Sequence, residues 1–183
     1  MVYVSGGNEL LDPMEILGRL GIKTGSRFAD LGCGGAGHFV IPAAKMVGNQ
    51  TEVYAVDILK SVLKSVTSIG RLEGITNIKP VWANLELVGS TRIKPGSLDF
   101  TSLINILFQS KLHQPILQEA VRLLKKDGKL LVVDWKKDTV SFGPNQDHRI
   151  DPAKIKSLAQ SLGLELFDEF DAGTYHFGLI FKK

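Results

Sequence analysis

The chain is short of cysteine, of net charge and of long apolar runs. Cys33 is the single cysteine among 183 residues, which excludes a disulfide framework and any multi-cysteine zinc or iron–sulfur site. No metal site is expected. Basic residues number 22 and acidic ones 19, for a formal charge of +3, too slight to argue for a nucleic-acid partner. No apolar stretch approaches the roughly 20 residues of a membrane span, and the first residues lack a basic start with an apolar signal core. Internal repeats, low-complexity tracts and Pro/Ser-rich linkers are missing as well. What remains is the expectation of a cytoplasmic protein with a single domain over residues 1–183. Its 44% hydrophobic and 22% charged residues suit an ordinary packed core that needs no staples.

Two kinds of segment alternate along the chain. Runs of β-branched and aromatic residues predict strands at Arg27–Leu31, Glu52–Asp57, Ile78–Trp82, Ser97–Asn105, Lys129–Asp134, Leu164–Phe170 and Tyr175–Phe181. Amphipathic spacing predicts helices between them. Asp12–Leu20 has a capping aspartate, Pro13 at its first position and Gly21 as its stop. Gln114–Lys126 ends at Asp127-Gly128, and a last helix opens at Asp151-Pro152 and closes at Gly163. Phe39–Val47 and Ile58–Leu72 complete the set.

Such alternation predicts a Rossmann-like, doubly wound α/β fold around a mostly parallel sheet. Four residues, Asp171-Ala172-Gly173-Thr174, separate the last two strands. That is too short for a parallel crossover, so these strands form an antiparallel C-terminal hairpin. Pro80 cannot donate to a ladder and puts the third strand at a sheet edge.

The chemistry gathers in Asp30-Leu31-Gly32-Cys33-Gly34-Gly35-Ala36-Gly37, where a strand runs through a carboxylate into a glycine-rich turn and then a helix. Glycines bring backbone against a ligand without a Cβ clash, and the helix N-terminus adds unpaired amide donors. Gly32, Gly34 and Gly37 satisfy the dinucleotide fingerprint, which keeps a nicotinamide-dependent oxidoreductase open as an alternative. Asp30, however, sets a negative charge where a phosphate would be repelled and an ammonium group attracted. Asp57 ends the next strand, where a carboxylate can accept both hydroxyls of a ribose and also cap the following helix.

At these residues the sequence resembles a class I S-adenosylmethionine-dependent methyltransferase. The likeness runs through Ala29-Asp30-Leu31-Gly32-Cys33-Gly34, Val56-Asp57, Trp82-Ala83-Asn84-Leu85, Leu98-Asp99-Phe100 and Leu123–Leu130, in that order. It is nearest the small-molecule branch with ubiquinone/menaquinone-type C-methyltransferases. The resemblance implies a sheet of about seven strands and S-adenosyl-L-methionine as cofactor. It implies that Asp30 helps anchor the methionyl ammonium, Gly32 and Gly34 admit the cofactor, and Asp57 holds its ribose. Asn84 and the Leu85 backbone would face adenine, and Asn105 the methionine end. Two positions depart from the family pattern: Ala36 stands at its third glycine, so that either Ala36 or, in a loop one residue longer, Gly37 lines the cofactor, and Asn84 replaces a common aspartate.

A methyl acceptor with a weak nucleophile benefits from a base. Asp134, after the fifth strand, and His148 are the catalytic candidates, Asp134 being otherwise a turn acceptor and His148 a solvated loop residue. His38 would stack near the cofactor or begin its helix, His113 flank a helix start, and either Tyr175 or His176 point inward. Cys33 reads as a buried filler, and Phe108 with Gln109 as walls of the methyl-transfer pocket. One cysteine argues against arsenic methylation. The absence of an Asn/Asp-Pro-Pro-aromatic signature after the fourth strand argues against exocyclic-amine methylation of nucleic acid. With a cap helix at residues 1–22 and a substrate-side loop at 136–150, little chain is left for recognition. A small-molecule substrate is therefore expected, with room for a protein partner or a homo-oligomer. A methyltransferase-like scaffold subunit is the non-enzymatic alternative.

Overall fold

The alternation read from the sequence becomes one seven-stranded sheet in the computed structural model, which describes residues 10–137 and 143–183. The strands are β1 (Phe28–Leu31), β2 (Val53–Asp57), β3 (Ile78–Trp82), β4 (Leu98–Ile104), β5 (Leu124–Trp135), β6 (Glu165–Asp171) and β7 (His176–Lys182). The helices are α1 (Pro13–Leu20), α2 (Val40–Val47), α3 (Lys60–Leu72), α4 (His113–Leu123) and α5 (Pro152–Ser161). Spatial order is β3-β2-β1-β4-β5-β7-β6. β1 to β5 pair in parallel, and β7 runs antiparallel between β5 and β6. Pro80 does lie on an edge strand. Among the described residues no helix is long and apolar enough to cross a membrane.

Two apolar layers sandwich the sheet. Leu17 and Leu20 of α1, Val40 and Ala44 of α2 and Leu63 and Val66 of α3 cover one face. Ile116, Leu117 and Ala120 of α4 with Ile155 and Ala159 of α5 cover the other. Strands buried on both sides lose the polar alternation of a half-exposed sheet, and β7 is buried from His176 through Phe181. The expected choice between Tyr175 and His176 therefore falls to His176, which is 0% exposed. Local signals set the starts of two helices. Asp12 caps α1 through the amides of Met14 and Glu15, and Asp151 caps α5 through that of Ala153.

Several boundaries differ from expectation. α4 stops at Leu123 rather than Lys126, because Leu124 is already extended and pairs with Leu98. The expected Asp127-Gly128 turn lies instead inside a bulge of β5, where the register jumps from Leu98↔Leu124 to Phe100↔Lys129. α2 and α3 each begin later than the pattern suggested, at Val40 and Lys60. The loop residues preceding them are taken up in the site.

Candidate functional site

Strand order reverses between β1 and β4, and open α/β sheets bind ligands in the crevice at such a switch point. A cavity of about 380 Å³ occupies that crevice. Gly32, Gly34 and Gly35 form its floor, Asp57, Ile58 and Leu59 one side, and Ala83, Asn84 and Leu85 another. Ile104, Asn105 and Ile106, leaving β4, bound the remaining side.

The glycines act in two ways. Gly32 has φ +88°, and a Cβ there would run into the side chain of Ile106. Gly34 has φ +65° with nothing within 4 Å of an added Cβ, so it faces open space. That arrangement is a cradle that a side chain would fill, and it fits a ligand pressed against backbone. Gly37 behaves differently. An added Cβ would lie 2.6 Å from Val66 and 2.9 Å from Ile41, so this glycine lets the loop pack on α2 and α3 and does not line the cavity.

Asp57 knits the floor to the rim. Its Oδ2 accepts from the Gly34 amide at 3.3 Å and its Oδ1 from the Leu59 amide at 2.9 Å. A carboxylate offers about four acceptor sites, which leaves capacity for a diol. Trp82 Nε1 donates to the Ile58 carbonyl at 2.8 Å, presenting Ile58 and Leu59 at the rim, 54% and 57% exposed. Apolar side chains held in solvent beside a carboxylate suit a flat ring joined to a sugar. This pair was not singled out from the sequence; its signal is two apolar residues just after an acidic strand end. Asn84 closes a short turn by accepting the Glu86 amide on Oδ1 at 2.9 Å, and a carbonyl oxygen keeps a second lone pair for a ligand donor.

At the other side, Asn105 takes φ +55°, a left-handed conformation that asparagine tolerates better than most residues. Gln109 Nε2 clamps the turn by donating to the Asn105 carbonyl at 2.7 Å. Ser110 Oγ donates to Glu86 at 2.6 Å and so ties the two loops across the cavity. Gln109 lines the cavity as expected, whereas Phe108 faces an adjoining basin.

Beneath the floor, Asp30 is 3% exposed and accepts from Ser102 Oγ at 2.7 Å. Burial pushes its pKa up to about 7, the Ser102 bond opposes this, and the nearby Asp57 charge adds to it. Asp30 therefore sits under the cavity without lining it. Cys33 is buried in the apolar layer, and burial pushes its thiol well above the usual range. His38 begins no helix; its Nε2 meets the Leu11 carbonyl at 3.0 Å and its ring packs edge-on to Phe39. His113 does open α4, with Nε2 3.1 Å from the Leu107 carbonyl.

The two catalytic candidates are not brought together in the cavity. Asp134 is 0% exposed, and its Oδ2 accepts from Leu107 and Phe108 at 3.1 and 3.2 Å while Oδ1 accepts from Trp135 at 2.8 Å. Burial pushes its pKa up to about 7 against those three amides. A carboxyl spent on backbone amides positions the single 3-10 turn Leu107–Gln109, the turn-acceptor alternative weighed above. His148 is exposed on another short turn, Gln146–His148, and lines the neighbouring basin. Part of the expected substrate-side loop, residues 138–142, lies outside the described residues, as do residues 1–9 of the expected cap. Among the described residues lining the cavity, Asp57 and Glu86 are the ionisable ones.

Similarities to known proteins agree with this geometry. A cobalt-precorrin-6B C(15)-methyltransferase of Methanosarcina acetivorans, named as probable, is 37% identical over 101 residues, 54% of this chain and 52% of that protein. The ubiquinone/menaquinone biosynthesis C-methyltransferase UbiE of Yersinia pestis is 32% identical over 121 residues, 64% of this chain and 45% of that protein. The chain thus aligns with about half the length of these curated relatives. A S-adenosylmethionine-dependent methyltransferase from Aquifex aeolicus shares the fold, with a TM-score of 0.85 at 22% identity over 97% of this chain and 93% of that one. Residues 22–164 match the family model described as a methyltransferase domain. With the switch-point cavity, the glycine floor and the acidic end of β2 all inside that span, the chain belongs to the S-adenosyl-L-methionine-dependent methyltransferase family.

Proposed function

We propose that the protein transfers a methyl group from S-adenosyl-L-methionine to a small organic acceptor in the cytoplasm. The observation that carries this reading is the switch-point cavity, lined among the described residues by glycines, apolar side chains, neutral amides, Ser110 and two carboxylates. Gly32, Gly34 and Asn105 would hold the methionyl part above Asp30, Asp57 the ribose, and Asn84 with Leu85 the adenine. Gly37 supports this set by letting the loop pack. When bound, the cofactor supplies a methyl group on a sulfonium, a leaving group that needs no activation. The tasks left to the chain are alignment and exclusion of water.

Asn105, Ile106 and Gln109 form the passage toward the acceptor side and set the approach direction. Asp134 is a positioning residue that holds this turn, and His148 lines the neighbouring basin rather than the cofactor cavity. Residues 1–183 would act as one domain, with α1 capping the sheet and residues 143–150 on the acceptor side.

Calorimetric titration with S-adenosylmethionine, S-adenosylhomocysteine and NAD tests the proposal. Saturable binding of both sulfur ligands at micromolar levels is expected. Binding of NAD alone would overturn it in favour of the oxidoreductase alternative. Sulfur-ligand binding without turnover over a broad acceptor panel would favour the scaffold alternative.

A further inference from the structure

Beyond Gln109 and Ser110, which border both spaces, the cofactor cavity gives way to a basin of about 560 Å³. The two spaces differ in charge. The ionisable side chains of the cavity are acidic, Asp57 and Glu86. Among the described residues lining the basin, Lys111, Lys137, Arg149 and Lys154 outnumber the carboxylates Asp147 and Asp151. Asp151 is already engaged as the cap of α5, accepting the Ala153 amide at 2.8 Å.

None of the eight ion pairs found among the described residues involves Lys111, Lys137 or Lys154. Arg149 is a built-in part of the basin wall. It is 4% exposed and donates to the carbonyls of Pro144 and Lys136 at 2.9 and 3.1 Å. The positive field reaches His113, whose pKa is lowered first by burial and then by Lys154. Phe108 and Ile150 give the same space an apolar wall. Cations gathered in a concave, partly apolar space focus an anion there.

We infer that this basin receives the methyl acceptor and that the acceptor is an anionic small molecule, bearing carboxylate or phosphate groups bound by Lys111, Lys137 and Lys154. Its apolar body packs on Phe108 and Ile150, and its reacting atom points past Gln109 into the cofactor cavity. This rests on the methyl-transfer reading. Opposite charges on the two sides sort the ligands: the carboxylate side takes the cationic cofactor, and the lysine side takes the anion.

The test titrates propane-1,2,3-tricarboxylate, its uncharged triamide and pyrophosphate into protein saturated with S-adenosylhomocysteine at low salt. A short single-stranded RNA is run beside them. The variants are the triple Lys111→Gln, Lys137→Gln, Lys154→Gln and a control triple, Lys23→Gln, Lys94→Gln, Lys126→Gln, of equal charge change. The expected result is saturable binding of the tricarboxylate, the pyrophosphate or both, and none of the triamide. The basin triple should weaken it by about tenfold or more and the control triple by less than about twofold. Which anion binds assigns the source, carboxylate or phosphate. No saturable anion binding, or equal losses in both triples, would overturn the inference. Tighter RNA binding that depends on the basin lysines would overturn it in favour of a nucleic-acid surface. S-adenosylhomocysteine affinity is measured on every sample. Its absence in the wild-type protein refutes the methyl-transfer reading instead, whatever the anions do.

Discussion

Replacing Asp134 separates a base from a positioning group. Its carboxyl accepts three buried amides, Leu107 and Phe108 on Oδ2 and Trp135 on Oδ1. Asp134→Ala leaves all three donors without a partner. A buried donor left unsatisfied costs about 1–3 kcal/mol, and partial relaxation brings three of them to about 3–6 kcal/mol. That is a large part of a typical stability of about 5–15 kcal/mol. Asp134→Asn is the sharper variant. With its oxygen at the Oδ2 position it keeps the Leu107 and Phe108 bonds and turns its amino group toward the Trp135 amide, so one bond is lost. The expected cost is about 1–3 kcal/mol. Urea unfolding at pH 8, followed by far-ultraviolet circular dichroism, measures both. Turnover measured on folded Asp134→Asn protein should stay within about tenfold of wild type, because a general base contributes about 10²–10⁴. An Asp134→Ala protein as stable as wild type would refute the positioning argument. So would an Asp134→Asn protein of wild-type stability that has lost turnover.

Asp57→Ala should weaken S-adenosylhomocysteine binding by about 1–3 kcal/mol, the loss of a polar partner, in calorimetric titration; unchanged affinity in a folded protein removes Asp57 from the ribose site. Asp30 has a folded-state pKa raised from 3.8 to about 7 by burial. Between those values the folded chain holds a proton that the unfolded chain has released, so the Asp30 contribution to stability is complete below about pH 4 and lost as pH rises to about 7. Wild type should therefore lose about 2–3 kcal/mol more than Asp30→Asn between pH 5 and 7.5 in urea unfolding, at about 1.4 kcal/mol per unit, and parallel pH profiles would contradict this. Gly37→Ala puts a Cβ 2.6 Å from Val66 at φ +63°. It should cost about 2–4 kcal/mol in thermal or urea unfolding from overpacking and left-handed strain, and a neutral effect would mean that the loop does not pack on α3.

Much of this molecule was legible in order along the chain. Asp12 and Asp151 announce α1 and α5 because capping is local, settled by a side chain and an amide two or three residues away. Pro80 marks an edge strand because a missing amide cannot serve a central ladder. The four-residue link before His176 demands a hairpin for reasons of reach alone. Gly32, Gly34 and Asp57 mark the switch-point cavity because strand ends and the turns after them are contiguous in sequence. Boundaries set by partners were less legible. Helical spacing continues past Leu123, yet pairing of Leu124 with Leu98 overrides it, and Gly37 looks like a cofactor glycine until Val66 is seen against it.

The order of strands and helices, the hairpin, the glycine floor and the acidic end of β2 follow from residues that are neighbours along the chain. The fate of side chains far apart in the chain was settled by packing. It sank Asp134 under the turn after β4, buried Asp30 against Ser102, and drew Lys111, Lys137 and Lys154 around one basin. The physical reason is that burial and electrostatic fields depend on what packs from other elements, which local spacing does not encode.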